Sequence, residues 1–241
     1  MTVEWAELDE REWRLYGGMH RMLLRLAGQV PDGLLTQARA MLAEGDLAYL
    51  PDALTMAAVE LGVPLTAQEV EILRDLFVAL GIEGEPTGVD QVAITDTTRG
   101  TGHRFSPVSP EVAQHVRVPA ALDLTAEIPA ELADLQEELV DLTDHLVVDA
   151  LSEHAGTRAI WRTWRSGPER LANEDVKGWR RVYLAEVEPG VLAWELTLEA
   201  QTELTQMSES DPQVEVYWSS EELPPYHRAA REAATLLWKR R

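Results

Sequence analysis

The stretch TRAIWRTWRSG, residues 157–167, decides which fold is expected for the C-terminal third of the chain. Three arginines and two tryptophans fall within these eleven residues, which contain no acidic side chain. Residues 159–165 predict a β-strand, in which alternate side chains share a face. One face should therefore carry Ile160, Arg162 and Trp164, and the other should carry Trp161, Thr163 and Arg165. Each predicted face mixes aromatic and arginine side chains.

This tryptophan- and arginine-rich stretch has three interpretations. In the first, its tryptophans close a core and its arginines pair with the acidic residues at 131–153. In the second, it is a protein interface, where tryptophan and arginine often dominate the binding energy. In the third, it is a platform on which single-stranded nucleic acid stacks its bases. The second interpretation makes five residues candidates for partner binding: Trp161, Arg162, Trp164, Arg165 and Arg180.

The rest of the C-terminal region predicts a small mixed α/β domain over residues 157–241. A second strand is expected at 181–187. Residues 191–207 fit both strand and helix periodicity, although their length and their Leu, Glu, Gln and Ala content favour a helix. A third strand follows at 211–218, and the final residues, 223–241, predict a closing helix. The expected order is β-β-α-β-α.

The segment before this domain predicts one long amphipathic helix over about residues 129–154, roughly 37 Å long. Acidic residues and one histidine recur along a single helical face at Asp134, Glu138, Asp141, His145 and Asp149. Since side chains four residues apart on a helix meet, Asp141 and His145 could together contact a metal ion. The competing interpretation is the solvated face of an amphipathic helix.

The N-terminal region, residues 1–83, predicts an antiparallel bundle of four helices. Thr66 and Glu69 form the sequence signature of a capping box at the start of the fourth helix. Residues 84–128 are rich in Gly, Pro and Thr and predict a connector with short strands at 89–95 and 112–118. The predicted fold class is therefore α+β. A helical bundle, the connector, the long helix at 129–156 and the small α/β domain follow one another in that order.

The charge of the chain is strongly negative and unevenly distributed. The formal net charge is −21, with −8 on residues 1–83, −11 on 84–156 and −2 on 157–241. Direct nucleic-acid binding by residues 1–156 is disfavoured, because phosphate would be repelled. A basic protein partner is compatible with such a surface through charge complementarity.

Composition excludes several classes of chemistry. The chain has no cysteine, which excludes disulfides, thiolate zinc sites and a cysteine nucleophile. Neither a membrane span nor a secretory signal is expected, which favours a cytoplasmic location. The phosphate-loop, dinucleotide, GxSxG and HExxH motifs are all absent, so no cofactor or metal is expected. Nineteen arginines against two lysines indicate a GC-rich genome.

From these observations we expect a cytoplasmic, non-enzymatic protein-interaction module. Its sharper form is an immunity- or inhibitor-type protein that masks a basic partner. Two alternatives stay open: a metal-assisted hydrolase that uses Asp141 and His145, and a scaffold subunit of a larger bacterial assembly. The sequence determines neither the partner nor the oligomeric state.

Overall fold

The chain divides into two structural units, Met1–Arg99 and Gly100–Arg241. The structure, a computed structural model, describes residues 8–97, 100, 102–114, 118–124, 139–167 and 178–241. Together the described residues form an α+β protein with a five-stranded mixed sheet. Among these residues, no helix has the length and apolar content that a membrane crossing requires.

Residues 8–97, the described part of the first unit, contain four α-helices, the number that the sequence predicts. The helices are α1 (Glu10–Leu26), α2 (Asp32–Glu44), α3 (Leu50–Leu61) and α4 (Ala67–Ala79). Their inward faces bury leucines such as Leu23, Leu35, Leu54 and Leu73, each at most 1% exposed. Because these leucines recur at helical spacing, one stripe of each helix can be removed from water.

Capping and helix ends in this unit follow the local sequence. Thr66 and Glu69 form the predicted capping box: the Thr66 hydroxyl accepts from the Glu69 amide at 3.1 Å, and the Glu69 carboxylate accepts from the Thr66 amide at 2.7 Å. Glu69 also forms a salt bridge with Arg25 of α1. Helix α3 ends at Gly62, whose φ of 61° is the left-handed conformation that favours glycine.

The connector differs from its predicted strands. The sequence predicts a strand at residues 89–95, but the structure has a 3₁₀ turn at Val89–Gln91. Ile94 forms only an isolated β-bridge, with Leu65. Residues 112 and 113 belong to the short helix α5 (Pro110–Ala113) rather than to a strand. The Ser109 hydroxyl caps this helix, and a proline in its first turn has the φ that a helix needs. Residues 115–117 of the predicted second strand lie outside the described residues.

The predicted long helix is described only in its C-terminal part, where it is shorter than expected. Helix α6 spans Leu142–Ser152 and starts at Asp141, whose backbone is extended. Asp141 and Asp144 form a capping box at this start, and aspartate is a favoured N-cap. Residues 140 and 141 are not helical, so α6 begins at residue 142 and does not continue through these two positions. Residues 129–138 lie outside the described residues.

The sheet of the second unit is built around the tryptophan- and arginine-rich stretch. The strands are β1 (Arg104–Ser106), β2 (Thr157–Ser166), β3 (Arg180–Val187), β4 (Gln213–Trp218) and β5 (Thr235–Lys239). Strand β2 pairs antiparallel with β1, β3 and β5, and β3 pairs parallel with β4. Strands β1 and β5 occupy successive parts of the same edge of β2. The ten-residue strand β2 is therefore the centre of the sheet.

Two helices complete the second unit. Residues 191–207 fit both strand and helix periodicity, and the structure forms a helix there, α7 (Ala193–Gln206). This helix connects the parallel strands β3 and β4. Helix α8 (Pro225–Glu232) ends nine residues before the C-terminus. The prediction of one closing helix is therefore wrong beyond Glu232, because the following residues form β5. Local propensity is overridden there by pairing with β2 and by bonds such as the one from the Leu122 amide to the Leu236 carbonyl, 2.7 Å.

The helices cover opposite faces of the sheet. Helices α6 and α7 pack on the face that carries Arg162, here called the α6 face, and α8 packs on the other, here called the α8 face. The core of the α6 face includes Trp194 and Trp218, buried edge to face with ring centroids 6.2 Å apart. Such an arrangement suits the aromatic quadrupoles.

Candidate functional site

The predicted partner-binding residues lie on β2 and β3, and the structure distributes them over both faces of the sheet. Arg162 is buried on the α6 face, where it forms a salt bridge with the fully buried Asp144. Tyr183, the cross-strand neighbour of Arg162, donates to the other Asp144 oxygen at 2.8 Å. This pairing matches the internal interpretation, in which arginines of the stretch meet acids of the preceding helix.

A second arginine extends this network toward the surface. Arg181 donates to both carboxylate oxygens of Asp141, at 2.8 and 2.6 Å, and to the Tyr183 hydroxyl at 3.1 Å. Its guanidinium lies 4.9 Å from the ring centroid of Trp164, which is half-buried. A planar guanidinium can hold a carboxylate bidentately and still stack on an aromatic ring. Helix α6 is thereby fixed to the sheet through its N-terminal cap.

The protonation behaviour of this network follows from its burial. Burial raises the pKa of Asp144, although Arg162 and Arg181 oppose this change. Burial would also raise the pKa of Asp141, but the hydrogen bonds and charge of Arg181 outweigh it and hold that pKa below its ordinary value. Burial, together with the negative charge of Asp144, raises the pKa of Tyr183, which keeps its hydroxyl protonated as a donor. The network therefore serves to hold α6 on β2 and β3.

Trp161 lies on the α8 face and is covered by an arginine of α8. The Arg231 guanidinium is 3.3 Å from the centroid of the Trp161 ring, and it donates to the Tyr217 hydroxyl at 2.6 Å. Its other neighbour is Glu186, at 3.5 Å. Burial raises the pKa of Tyr217 to about 12, despite the opposing charge of Arg231. One face of the Trp161 ring is therefore covered by Arg231 of the same unit.

The two remaining candidates also have internal partners. Arg165 is buried on the α8 face and donates to the Tyr226 hydroxyl at 3.0 Å. Arg180 donates to the backbone carbonyl of Ser210 at 2.8 Å and is half-buried. Of the five predicted residues, Trp164 and Arg180 are therefore the two whose side chains are not classed as buried.

A further polar pair was not predicted from the sequence. Glu215 on β4 and His227 on α8 are both fully buried, with Oε2 and Nε2 2.9 Å apart. They are twelve residues apart in sequence, and no spacing rule joins a strand residue to a helix residue across an intervening turn. The only available signal was a glutamate at position 215 between the apolar residues Val214 and Val216.

The alternative metal site would use Asp141 and His145. Both Asp141 oxygens are engaged by Arg181, and the His145 side chain is exposed. Within the parts of the chain that the structure describes, no group of three or more His, Asp or Glu side chains is arranged to hold a metal ion. Asp134 and Glu138 lie outside those parts.

The first unit carries a surface of a different character, formed by α3, α4 and the segment that follows them. Residues 46–97 contain ten acidic side chains and one basic side chain, Arg74. Arg74 is itself paired with Glu85 at 3.0 Å and lies 3.6 Å from Asp90. We call the outer surface of residues 46–97 the acidic surface. Seven of its acids are exposed: Asp46, Glu60, Glu71, Glu83, Glu85, Asp90 and Asp96.

Large apolar side chains are exposed on the same acidic surface. Tyr49, just before α3, is 72% exposed, and Val78 near the end of α4 is 67% exposed. Five more large apolar residues of this surface are exposed: Met56, Leu61, Leu80, Ile82 and Ile94. Of the described residues outside it, only Leu142 and Met207 are large, apolar and exposed. Most of the exposed large apolar residues in the described part of the chain therefore lie within this acidic region of the first unit.

The segment after α4 is held along α3. Near the first turn of α3, the Thr87 amide donates to the Asp52 carboxylate at 2.6 Å, and the Thr55 hydroxyl donates to the Thr87 carbonyl at 2.8 Å. Beyond the end of α3, the Leu65 amide donates to the Ala93 carbonyl at 3.0 Å, and the Leu65 carbonyl accepts from the Thr95 amide at 2.9 Å. The hydrogen bonds of Thr87 attach the segment that carries the acidic residues to α3.

Comparison of the chain with known protein families, with curated proteins and with solved structures finds no match.

Proposed function

We propose that this chain is a protein-interaction module whose acidic surface binds a basic protein partner. The observation that carries the proposal is the coincidence, on residues 46–97, of ten acids against one paired base with seven exposed large apolar side chains. Charge alone accounts for solubility, but exposed apolar groups cost free energy in water unless a partner covers them.

The two kinds of side chain would contribute differently to binding. Negative charges steer a cationic partner toward the surface and raise the association rate, an effect that salt screens. Apolar side chains act after contact, when their burial slows dissociation. Tyr49 is the strongest single candidate for an anchor, because tyrosine is enriched among the residues that dominate binding energy.

The sharper form of the proposal is an immunity- or inhibitor-type protein. An enzyme that cleaves nucleic acid presents a basic groove to the phosphate backbone. An array of carboxylates can occupy such a groove in place of phosphates. Trp161, Arg162, Trp164, Arg165 and Arg180 remain a separate predicted footprint, and within it Trp164 and Arg180 are the most accessible.

The test begins with capture and identification of a partner by the tagged chain, followed by stopped-flow measurement of association rates. A triple variant, Glu60→Gln, Glu83→Gln and Asp96→Asn, removes three exposed charges from the acidic surface. We expect the association rate constant at low salt to fall about three- to tenfold and its salt dependence to weaken.

The matched control removes three exposed charges from the second unit: Asp149→Asn, Glu153→Gln and Glu232→Gln. This variant should associate within about twofold of the wild-type rate, since its charges lie outside the proposed contact. A partner that is not basic, or equal effects of the two triple variants, would refute the proposal. Tyr49→Ala separately tests the apolar contribution, with an expected increase of about tenfold or more in the dissociation rate.

A further inference from the structure

A cleft of about 550 Å³ lies on the α8 face of the sheet, in the unit that does not carry the acidic surface. Ala159 on β2 lines this cleft, together with its cross-strand neighbours Glu186 on β3 and Lys239 on β5. Neighbouring strands are about 4.8 Å apart, so the small alanine side chain leaves space between a glutamate and a lysine. A register shift between Thr157 and Ala159 places Arg158 at the rim.

The floor and one wall of the cleft are already ordered. The Trp161 ring is covered by the Arg231 guanidinium, which the Tyr217 hydroxyl and Glu186 hold in place. Leu236 adds apolar surface from β5. A ligand would therefore meet a planar cation and an apolar side chain in fixed positions, with little further ordering cost.

The cleft is locally cationic although the chain carries −21. Four basic residues line it, Arg158, Arg231, Lys239 and Arg240, against Glu186 and Glu188. The Arg240 guanidinium is engaged by three backbone carbonyls, the nearest at 2.7 Å.

Two cations remain available to a ligand. Arg158 reaches Glu188 only at 3.7 Å, and both side chains are about half exposed. Lys239 is exposed, and within the described part of the chain its ammonium group has no bonded partner.

We propose that this cleft binds a small organic carboxylate, with the carboxylate between Lys239 and Arg158 and the apolar part over Leu236. The inference goes beyond the proposed function, because it concerns another unit and another class of ligand. A polyanion is disfavoured by the net charge of the whole chain. A small monoanion inside the cleft feels mainly the local cations, since charges beyond about 8 Å are screened at physiological salt.

A carboxylate fits better than a phosphate dianion for a reason of solvation. The cost of removing an ion from water rises with the square of its charge, whereas its attraction to the cations rises only in proportion. A half-open cleft with two acidic side chains does not supply the dense array of donors that a dianion requires.

The experiment is a ¹⁹F NMR titration of the full chain with 4-fluorobenzoate, using neutral 4-fluorobenzamide and inorganic phosphate as comparison ligands. We expect a dissociation constant of about 1–10 mM for the benzoate, and much weaker binding of the amide. Lys239→Gln should weaken benzoate binding about three- to tenfold. The control, Arg228→Gln, removes another exposed cation, which lies on α8 outside the cleft, and should leave binding unchanged.

Each outcome decides the proposal. Selective benzoate binding that Lys239→Gln weakens and Arg228→Gln does not would support it. No binding by about 20 mM benzoate, twice the upper end of the expected range and enough to fill about two thirds of the sites there, would overturn it, as would equal binding of the amide. Tighter binding of phosphate would overturn the carboxylate assignment. Equal effects of the two variants would show non-specific attraction to surface cations.

Discussion

Replacing Asp144 by asparagine should destabilise the second unit strongly. The substitution keeps the shape of the side chain but removes its charge, and Asp144 is fully buried. The Arg162 guanidinium, which is 4% exposed, would lose its buried counterion. The Tyr183 hydroxyl, which donates at 2.8 Å, would lose a charged acceptor.

The expected magnitude follows from these contacts. Removing one partner of a buried ion pair costs about 3–5 kcal/mol, because the remaining charge stays desolvated without compensation. Tyr183 keeps the hydrogen bond that it accepts from Arg181, so we add no separate cost for its oxygen. In a unit of this size, the loss corresponds to a fall of about 10–15 °C in the melting temperature.

Urea denaturation monitored by tryptophan fluorescence measures this change. Six of the eight tryptophans lie in residues 157–241, so the signal reports mainly on the second unit. The control Asp149→Asn alters an exposed residue of the same helix and should change the free energy of unfolding by less than about 0.5 kcal/mol.

A compensating variant separates charge burial from packing. Asp144→Leu, Arg162→Met and Tyr183→Phe together replace the buried polar groups by apolar ones of similar size. We expect this triple variant to recover most of the lost stability, because no unpaired buried charge and no unsatisfied hydroxyl remain, and Arg181 keeps its ion pair with Asp141. The reasoning is refuted if Asp144→Asn unfolds within about 1 kcal/mol of wild type, or if the triple variant is as unstable as the single one.

Three further predictions concern acid stability, helix packing and capping. Asp141 has a pKa held below its ordinary value, so its contribution to stability is present above about pH 4 and is lost as pH falls through the lower folded value. Asp141→Asn can still cap α6, and it should make the free energy of unfolding, measured by urea denaturation, fall less steeply between about pH 5 and 3. The difference from wild type should be less than about 1 kcal/mol, because the carboxylate is partly exposed. Gly18→Ala should not give the usual helix stabilisation of about 1 kcal/mol, because the new Cβ would lie 2.5 Å from Ile72 Cδ1. Ile72→Val removes that Cδ1 atom, so a double-mutant cycle should show that it restores stability to the Gly18→Ala variant. Thr66→Ala should cost the first unit about 1 kcal/mol in urea denaturation followed by circular dichroism, whereas Thr66→Ser should cost little.

Helices with a clear apolar stripe could be predicted from sequence, and the four helices of the first unit were. The start of α6 was also encoded locally, in the Asp141 and Asp144 capping box, but the regular leucine pattern around it suggested one continuous helix. Strand β5 could not be predicted in this way. Residues 235–239 become a strand because β2 offers an unpaired edge, and that edge exists only after the sheet has formed.

Local sequence determined which segments of this protein alternate or repeat at helical spacing, how several helices are capped, and where negative charge accumulates. These properties act over a few residues and need no partner from elsewhere in the chain. The tertiary structure alone decided that Arg162 meets Asp144, that Arg231 covers Trp161, and that Lys239 and Glu186 flank Ala159. Those contacts join residues on separate strands and helices, so they depend on strand register and sheet topology, which sequence periodicity does not specify.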